Sequence, residues 1–367
     1  MSTVARTQRQ YRASSDAAPI LLDWYDNERR DLPWRYRPGA QADPYRVWLS
    51  EIMLQQTTVK AVIPYFEAFV QLWPTVEDLA AAEQEQVLQA WAGLGYYSRA
   101  RNLHDCAMAI HHDFGGQFPR DEATLAKLPG IGPYTAAAIA AIAFDQRATP
   151  VDGNVERVVA RLFAVDEALP KAKPRLKDLA STLTPDARTG DFAQAMMDLG
   201  ATVCTPKRPS CLMCPLNHQC DAHTLGIASQ LPIKAVKPER PVRYGIAFVA
   251  VTEDGQLLLR QRPSTGLLAR MLEVPSTDWL DEHPPVDEAL RTAPVRSDWW
   301  PVPGRVVHTF THFRLEIDVF RAIVPSDAGL TFWADASRCR WVRRNDLDGQ
   351  ALPSVMRKII SHGLTAQ

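Results

Sequence analysis

Along the first 225 positions apolar residues recur three and four apart. The stretches "VIPYFEAFVQLW", "TVEDLAAAEQEQVLQAWAGL", "ATLAKL", "YTAAAIAAIAF" and "NVERVVARLFAV" place them at helical spacing with few β-branched alternations. The pattern predicts an all-α region from about residue 20 to residue 225. "ASQLPIKAVKPERPVR" then brings prolines and scattered charge without a period, which predicts a linker over 227–243. From Tyr244 the period changes. Two apolar runs in "YGIAFVAVTEDGQLLLRQR" flank Asp254-Gly255 and predict a β-hairpin. Further strands are expected within "RVVHTFTHFRLEIDVFRAIV" and a closing helix at "LPSVMRKIISHG". The expected architecture is multi-domain: a flexible tail over residues 1–18, a helical domain over 19–226, and an α+β domain over 244–367. No internal repeat interrupts it.

A chain of 367 residues exceeds one ordinary core, which agrees with two or three domains. Hydrophobic residues at 46% and charged residues at 23% describe a soluble globular protein, and no apolar run approaches the ~20 residues that cross a bilayer, so no membrane partner is expected. The basic N-terminus "MSTVARTQRQYRASS" lacks an apolar h-region and is no secretory signal; a cytoplasmic location is expected, with an organelle transit peptide as the open alternative. The formal net charge is -1, and acidic residues slightly outnumber basic ones in the helical part. A nucleic-acid partner would therefore meet a local face and neutral donors.

Four of the six cysteines crowd into "CTPKRPSCLMCPLNHQC". A reducing compartment argues against disulfides among Cys204, Cys211, Cys214 and Cys220. The C-x6-C-x2-C-x5-C spacing suits a metal centre, and the chemistry alone leaves zinc and an iron–sulfur cluster both open. Upstream, "LAKLPGIGPYTAAAIAAIA" separates two helical stretches by a turn in which Gly130 and Gly132 permit close backbone approach, and the amides opening the next helix suit a phosphate. An ordinary glycine turn is the plainer alternative.

The turn "LPGIG", followed by "VDGNVERVVAR" and then by the cysteine quartet, resembles the endonuclease III superfamily of helix-hairpin-helix DNA glycosylases. That resemblance implies a [4Fe-4S] cluster on Cys204, Cys211, Cys214 and Cys220, and a loop whose Lys207 and Arg208 lie near the DNA backbone. "LPWR", "SEIMLQQT" and "GLGYYSRARNL" resemble the MutY-type adenine DNA glycosylases, which remove adenine mispaired with 8-oxoguanine. Members that also cleave the strand carry a lysine where this chain has Tyr134, so a monofunctional enzyme is expected.

Carried over by position, the resemblance makes Glu51 the general acid and Asp152 the ionised carboxylate facing the sugar, with Tyr134 and Asn154 beside them. Trp34, Arg35 and Gln194 fall where the family contacts the flipped adenine, and Gln56 and Tyr96 match its intercalating residues. Each has a plainer role available. Glu51 would serve as a first-turn glutamate behind a Ser50 cap, Asp152 or Asn154 as the cap of the "NVERVV" helix, and Trp34 as core.

The C-terminal part resembles the Nudix-like module of these enzymes. "GLLARMLEVPS" is not followed by the carboxylate-rich R-E-x2-E-E segment that holds magnesium, so hydrolysis of a pyrophosphate there is not expected. "HTFTHF" matches the loop that recognises 8-oxoguanine, with Phe310 as wedge and Thr311 and His312 as polar readers; Thr311 replaces the usual serine. The partner implied is duplex DNA carrying adenine opposite 8-oxoguanine or guanine, bound by a monomer. The competing expectations are an endonuclease III-like lyase on damaged pyrimidines, a non-catalytic iron–sulfur DNA-binding protein, and a Nudix nucleotide hydrolase.

Overall fold

A computed structural model describes residues 17–235 and 239–365 of the chain. Up to residue 16 the expected tail lies outside the described residues. The described residues divide into two compact units: one comprises 17–81 together with 102–235, the other 82–101 together with 239–365. The helices up to the cysteine loop are α1 (Ala17–Glu28), α2 (Pro44–Leu54), α3 (Val59–Leu72), α4 (Val76–Ala81), α5 (Gln84–Ala90), α6 (Ser98–Phe114), α7 (Glu122–Leu125), α8 (Pro133–Phe144), α9 (Gly153–Leu162), α10 (Lys173–Leu183) and α11 (Thr189–Thr202). A one-turn helix, α12 (Asp221–Thr224), follows the quartet.

In the first unit, α8 is alanine and isoleucine on every side and runs through the interior, packed against α2 and α11. Its small side chains let the neighbours come close: a Cβ added to Gly190 of α11 would lie 2.7 Å from the Ala141 carbonyl oxygen. A second cluster joins α1, α9, α10 and α11 through Leu21, Tyr25, Val159, Leu176 and Leu199, with Cys204, Cys214 and Cys220 against its edge. Helix α2 begins at Pro44 behind Asp43, whose carboxylate accepts from the Tyr45 amide at 2.9 Å. The stretch 75–94, helical in its spacing, is divided between α4 and α5. Glu83 and Gln86 form a capping box there, so a new N-terminus outcompetes continuation.

The two hairpin glycines differ in what they tolerate. Gly130 stands at φ +73°, and a Cβ on it would lie 2.7 Å from Asn102 Cβ; Gly132 has an extended backbone and open space around it. Gly130→Ala is expected to destabilise the protein by about 1–2 kcal/mol through left-handed strain and the Asn102 clash, whereas Gly132→Ala should melt within about 0.5 kcal/mol of wild type. Chemical denaturation of both variants checks this, and equal losses would count against it.

Within the stretch read as linker, Ala228–Gln230 forms a short 3-10 turn, Leu231 is buried with Ala222 and Ala228, and Lys234 bridges to Leu169. The second unit holds β1 (Val242–Thr252), β2 (Gln256–Gln261), β3 (Leu272–Glu273), α13 (Val286–Arg291), β4 (Trp300–Thr309), β5 (Arg314–Val324), β6 (Cys339–Arg343) and α14 (Ser354–Thr365). Sheet order is β3-β2-β1-β5-β4, with β6 paired to β2. The β1–β2 hairpin turns at Asp254-Gly255 as its sequence predicts, with Gly255 at φ +83°. Strand β1 runs parallel to β5 from Val242↔Arg314 to Thr252↔Val324. Both faces of β1 are covered: Ala247 and Val249 pack with Met356 and Ile359 of α14, while Ile246 and Phe248 pack with Ala289 of α13. Two-sided burial is why the run 246–250 reads as continuously apolar.

Candidate active site

Helix α2 begins seven residues before Glu51, so Glu51 sits near its C-terminal end and the first-turn alternative does not hold. The residue is 7% exposed. Burial pushes its carboxyl up to about 7, against the opposing pull of a hydrogen bond with Tyr134 and the Arg35 charge; the negative charge of Asp152 adds to the rise. Tyr134, on the first turn of α8, is raised well above an ordinary phenol, first by burial and then by the Glu51 and Asp152 charges. It is therefore a donor over the whole physiological range, and the carboxyl beside it is half-protonated near neutrality.

Asp152 takes the capping reading open to it. It caps α9, its Oδ1 accepting from the Asn154 amide at 2.9 Å and the Val155 amide at 2.8 Å, and its Oδ2 accepts from Asn154 Nδ2 at 2.8 Å. The cap fixes the carboxylate and gives its charge three N–H partners while its field reaches Glu51 and Tyr134. Asn154 is itself held, because Arg157 Nη2 donates to its Oδ1 at 2.8 Å. Arg157 also donates to the Gly200 and Cys204 carbonyls, each at 2.7 Å.

Arg35 is clamped from behind. Its guanidinium donates to Tyr25 Oη at 3.0 Å and to Asp198 Oδ1 at 3.2 Å, and the fully buried Asp198 also takes Arg30. Sequence reasoning missed Asp198 and Tyr25; the available signal was that Asp198 stands one helical turn after Gln194 on α11. The other adenine-contact candidates are placed differently. Trp34 is 4% exposed, edge-on to Phe66 at 5.3 Å, and so belongs to the core here. Gln194 lines a cavity of about 360 Å³ whose walls include Tyr36, Arg37 and Asp191 but neither Glu51 nor Trp34.

The two intercalation candidates share an uncommon backbone. Gln56 at φ +56° and Tyr96 at φ +49° are both left-handed, and both are exposed. Such strain of about 1–3 kcal/mol per residue gathers at ligand clamps and active sites. Tyr96 belongs to the second unit, where its hydroxyl meets Thr311 Oγ1 at 3.0 Å. The segment "HTFTHF" is a tight hairpin turn rather than one continuous strand. Thr309 pairs with Arg314, the Phe310 amide donates to the Phe313 carbonyl at 2.9 Å, and Thr311 and His312 are left exposed at the tip. Phe310 packs with Trp279, Phe313 and His308. Leu268 and Arg270, in the stretch where a Nudix helix would run, are left-handed, and the adjoining Glu273 is buried by Arg260 and Arg262.

Cys204, Cys211, Cys214 and Cys220 line one small cavity of about 20 Å³ with Arg161 and His223. Among the described residues no three His, Cys, Asp or Glu converge as a single-ion site. Burial pushes the Cys214 thiol up to about 12, with the other three sulfurs adding to the rise, so four thiolates here would need a strongly positive centre. Arg161 Nη1 donates to Cys204 Sγ at 3.2 Å, the kind of N–H···S bond that stabilises cluster sulfur. Lys207 and Arg208 are exposed in the loop between the first two cysteines. No helix among the described residues is long and apolar enough to cross a membrane.

Residues 49–185 match the HhH-GPD superfamily of base excision DNA repair proteins, and 246–362 match the NUDIX domain. Together with the carboxylate pair on α2 and at the start of α9, these define the class as a base-excision glycosylase fold joined to a Nudix domain. The chain is 38% identical to the adenine DNA glycosylase of Homo sapiens over 92% of its own length and 72% of that protein's. It is 47% identical to the Mycolicibacterium smegmatis adenine DNA glycosylase over 54% of its length and 67% of that protein's. A thermostable thymine-DNA glycosylase structure covers 57% of this chain, and 95% of its own, at TM-score 0.51 and 30% identity. The chain belongs to the adenine DNA glycosylase family.

Proposed function

We propose that this protein hydrolyses the N-glycosidic bond of adenine mispaired with 8-oxoguanine or guanine in duplex DNA. The observation that carries the reading is the buried Glu51, whose carboxyl is raised by that burial to about 7 against the opposing pull of Tyr134 and Arg35. Adenine leaves as a neutral base only if its ring is protonated, so the proton passes from the Glu51 carboxyl to the departing purine as the C1′–N bond breaks. Asp152, fixed in its cap, faces the positive charge developing on the sugar. Water then supplies the hydroxyl at C1′ and returns its proton to the carboxylate left on Glu51. Tyr134 holds Glu51, and Asn154 holds Asp152.

Cys204, Cys211, Cys214 and Cys220 are the residues that would hold a [4Fe-4S] cluster. Bound there it would tie the loop carrying Lys207 and Arg208 into a fixed surface for DNA phosphates. In the second unit, Thr311 and His312 at the hairpin tip are the hydroxyl and imidazole that would read the C8 oxygen and N7–H of 8-oxoguanine. Each such hydrogen bond is worth on the order of 1 kcal/mol.

Single-turnover base release from adenine:8-oxoguanine, adenine:guanine and adenine:thymine duplexes tests the reading. Excision is expected from the first two, with strand breaks appearing only after alkali and with little borohydride-trapped complex, because Tyr134 offers no amine. Rapid cleavage with efficient trapping would favour the lyase reading instead. Thr311→Ala with His312→Ala is expected to erase much of the preference for 8-oxoguanine while leaving excision opposite guanine. An unchanged preference would remove the hairpin tip from lesion reading.

A further inference from the structure

A tyrosine held at φ +49° with 47% of its surface exposed needs something beneath it to keep that conformation. The loop Ala92–Tyr97 has left-handed glycines at Gly93 and Gly95, so its own backbone does not supply the constraint. What lies under it is Arg99, only 7% exposed. Its Nη2 donates to the Leu94 carbonyl at 3.3 Å and to the Gly95 carbonyl at 3.1 Å. Its guanidinium carbon lies 5.1 Å from the centre of the Trp91 ring and 5.6 Å from that of Tyr96. Trp91, fully buried, donates its indole N–H to the same Gly95 oxygen at 3.0 Å, and the Tyr97 hydroxyl accepts from the Gly93 amide at 3.1 Å. The loop is thus wrapped around one planar cation that bonds two of its carbonyls and packs on the Trp91 and Tyr96 rings.

We propose that Arg99 is a positioning residue that presents Tyr96 to the lesion-bearing duplex, by fixing both the left-handed backbone and the ring direction that brings the Tyr96 hydroxyl to Thr311. The proposal rests on the glycosylase reading, in which Tyr96 enters the base stack. Only arginine fits the place. Burial lowers its pKa to about 10, which leaves it cationic at neutral pH, and its flat guanidinium reaches two carbonyls through Nη2 while lying on aromatic rings. Lysine would keep the charge but lose the stacking plane. Without the cation, Tyr96 would sample several loop conformations, and the duplex would have to select one of them.

A double-mutant cycle on duplex affinity tests this, using wild type, Arg99→Met, Tyr96→Ala and the double variant against adenine:8-oxoguanine and undamaged duplexes at one salt concentration. Arg99→Met is expected to weaken the lesion duplex about tenfold in the wild-type background and less than about twofold once Tyr96 is alanine, since the two act as one unit. Binding to undamaged duplex should change less than about threefold. The same fold-loss in both backgrounds would overturn the proposal, because a general structural or charge role is indifferent to the Tyr96 ring. Arg99→Lys run through the same cycle covers the case in which the methionine variant fails to fold. It should behave like Arg99→Met, and full recovery of affinity would equally overturn the assignment. Affinity needs no turnover, so a wild-type chain that binds the duplex yet releases no adenine would count against the glycosylase reading alone.

Discussion

Glu51→Gln is expected to lower single-turnover adenine release about 10²–10⁴-fold and, at alkaline pH, to make the protein more stable. The first effect follows from chemistry: an amide keeps the shape of the side chain and its hydrogen bond with Tyr134 but has no proton to give the purine. The second follows from linkage. The folded carboxyl holds its proton up to about pH 7, whereas the unfolded chain releases it near 4.5. A carboxyl whose pKa is raised on folding contributes its full stability below the unfolded value and loses it as pH rises through the folded value. Above pH 7 the shift amounts to about 3 kcal/mol against folding. Glutamine does not titrate, so the melting temperature of the variant should exceed that of wild type by roughly 6–10 °C at pH 8, with the gap closing toward pH 4.5. Melting curves across that range, paired with excision assays, check both halves. A gap independent of pH would mean that Glu51 does not carry the buried proton, and near-normal excision would remove it from the acid's role.

That opposition between stability and chemistry is what sequence alone could not show. That Glu51 lies in a helical region was legible, but the start of its helix was not: the sequence offered Ser50 as the cap, whereas the helix opens at Asp43-Pro44, a cap followed by a first-position proline. The depth of the side chain was not legible either, because burial comes from tertiary packing of α8 on α2, which leaves no local trace. Asp152 shows the converse: its capping role was readable from "VDGNV", and the structure has it capping α9. Periodicity located the helices because each buries a face, and the strands of the second unit because β1 is covered on both sides. It did not mark the boundary at Glu83, where a capping box starts a new helix. It also could not show that Ala82–Arg101, helical in pattern and early in the chain, groups with the C-terminal unit. There Arg101 donates to the Ala269 carbonyl at 2.7 Å and Arg270 to Gln84 Oε1 at 2.9 Å. Contacts across some 170 residues are set by tertiary packing and have no sequence period.

Arg161→Met is expected to be among the most disruptive single changes in the helical unit, although nothing in the motif around it marks the residue. Arg157 and Arg161 stand four apart on α9 and so share a face, which the sequence shows. That this face meets the cysteine loop some forty residues later it does not show. Arg161 is 1% exposed, and its guanidinium serves five acceptors: the carbonyls of Leu231 at 2.9 Å, Cys204 at 3.2 Å, Thr205 at 2.8 Å and Pro206 at 2.9 Å, and Cys204 Sγ at 3.2 Å. Methionine matches the stem of the side chain but leaves four carbonyl oxygens without that donor, at about 1–3 kcal/mol for each that water cannot reach. The loss should total about 3–5 kcal/mol, as when one partner of a buried charged network is removed. It falls on the segment that holds Cys204 and leads into Lys207 and Arg208. Anaerobically purified wild type is expected to carry about four iron and four sulfide per chain. The variant should carry well under half of that, with a lower urea midpoint and a shallower salt dependence of duplex binding, because the two loop cations no longer stand in register with the phosphates. Full iron content with an unchanged urea midpoint would show that the loop is held by its cysteines alone, and stoichiometric zinc without sulfide in wild type would remove the iron–sulfur assignment itself.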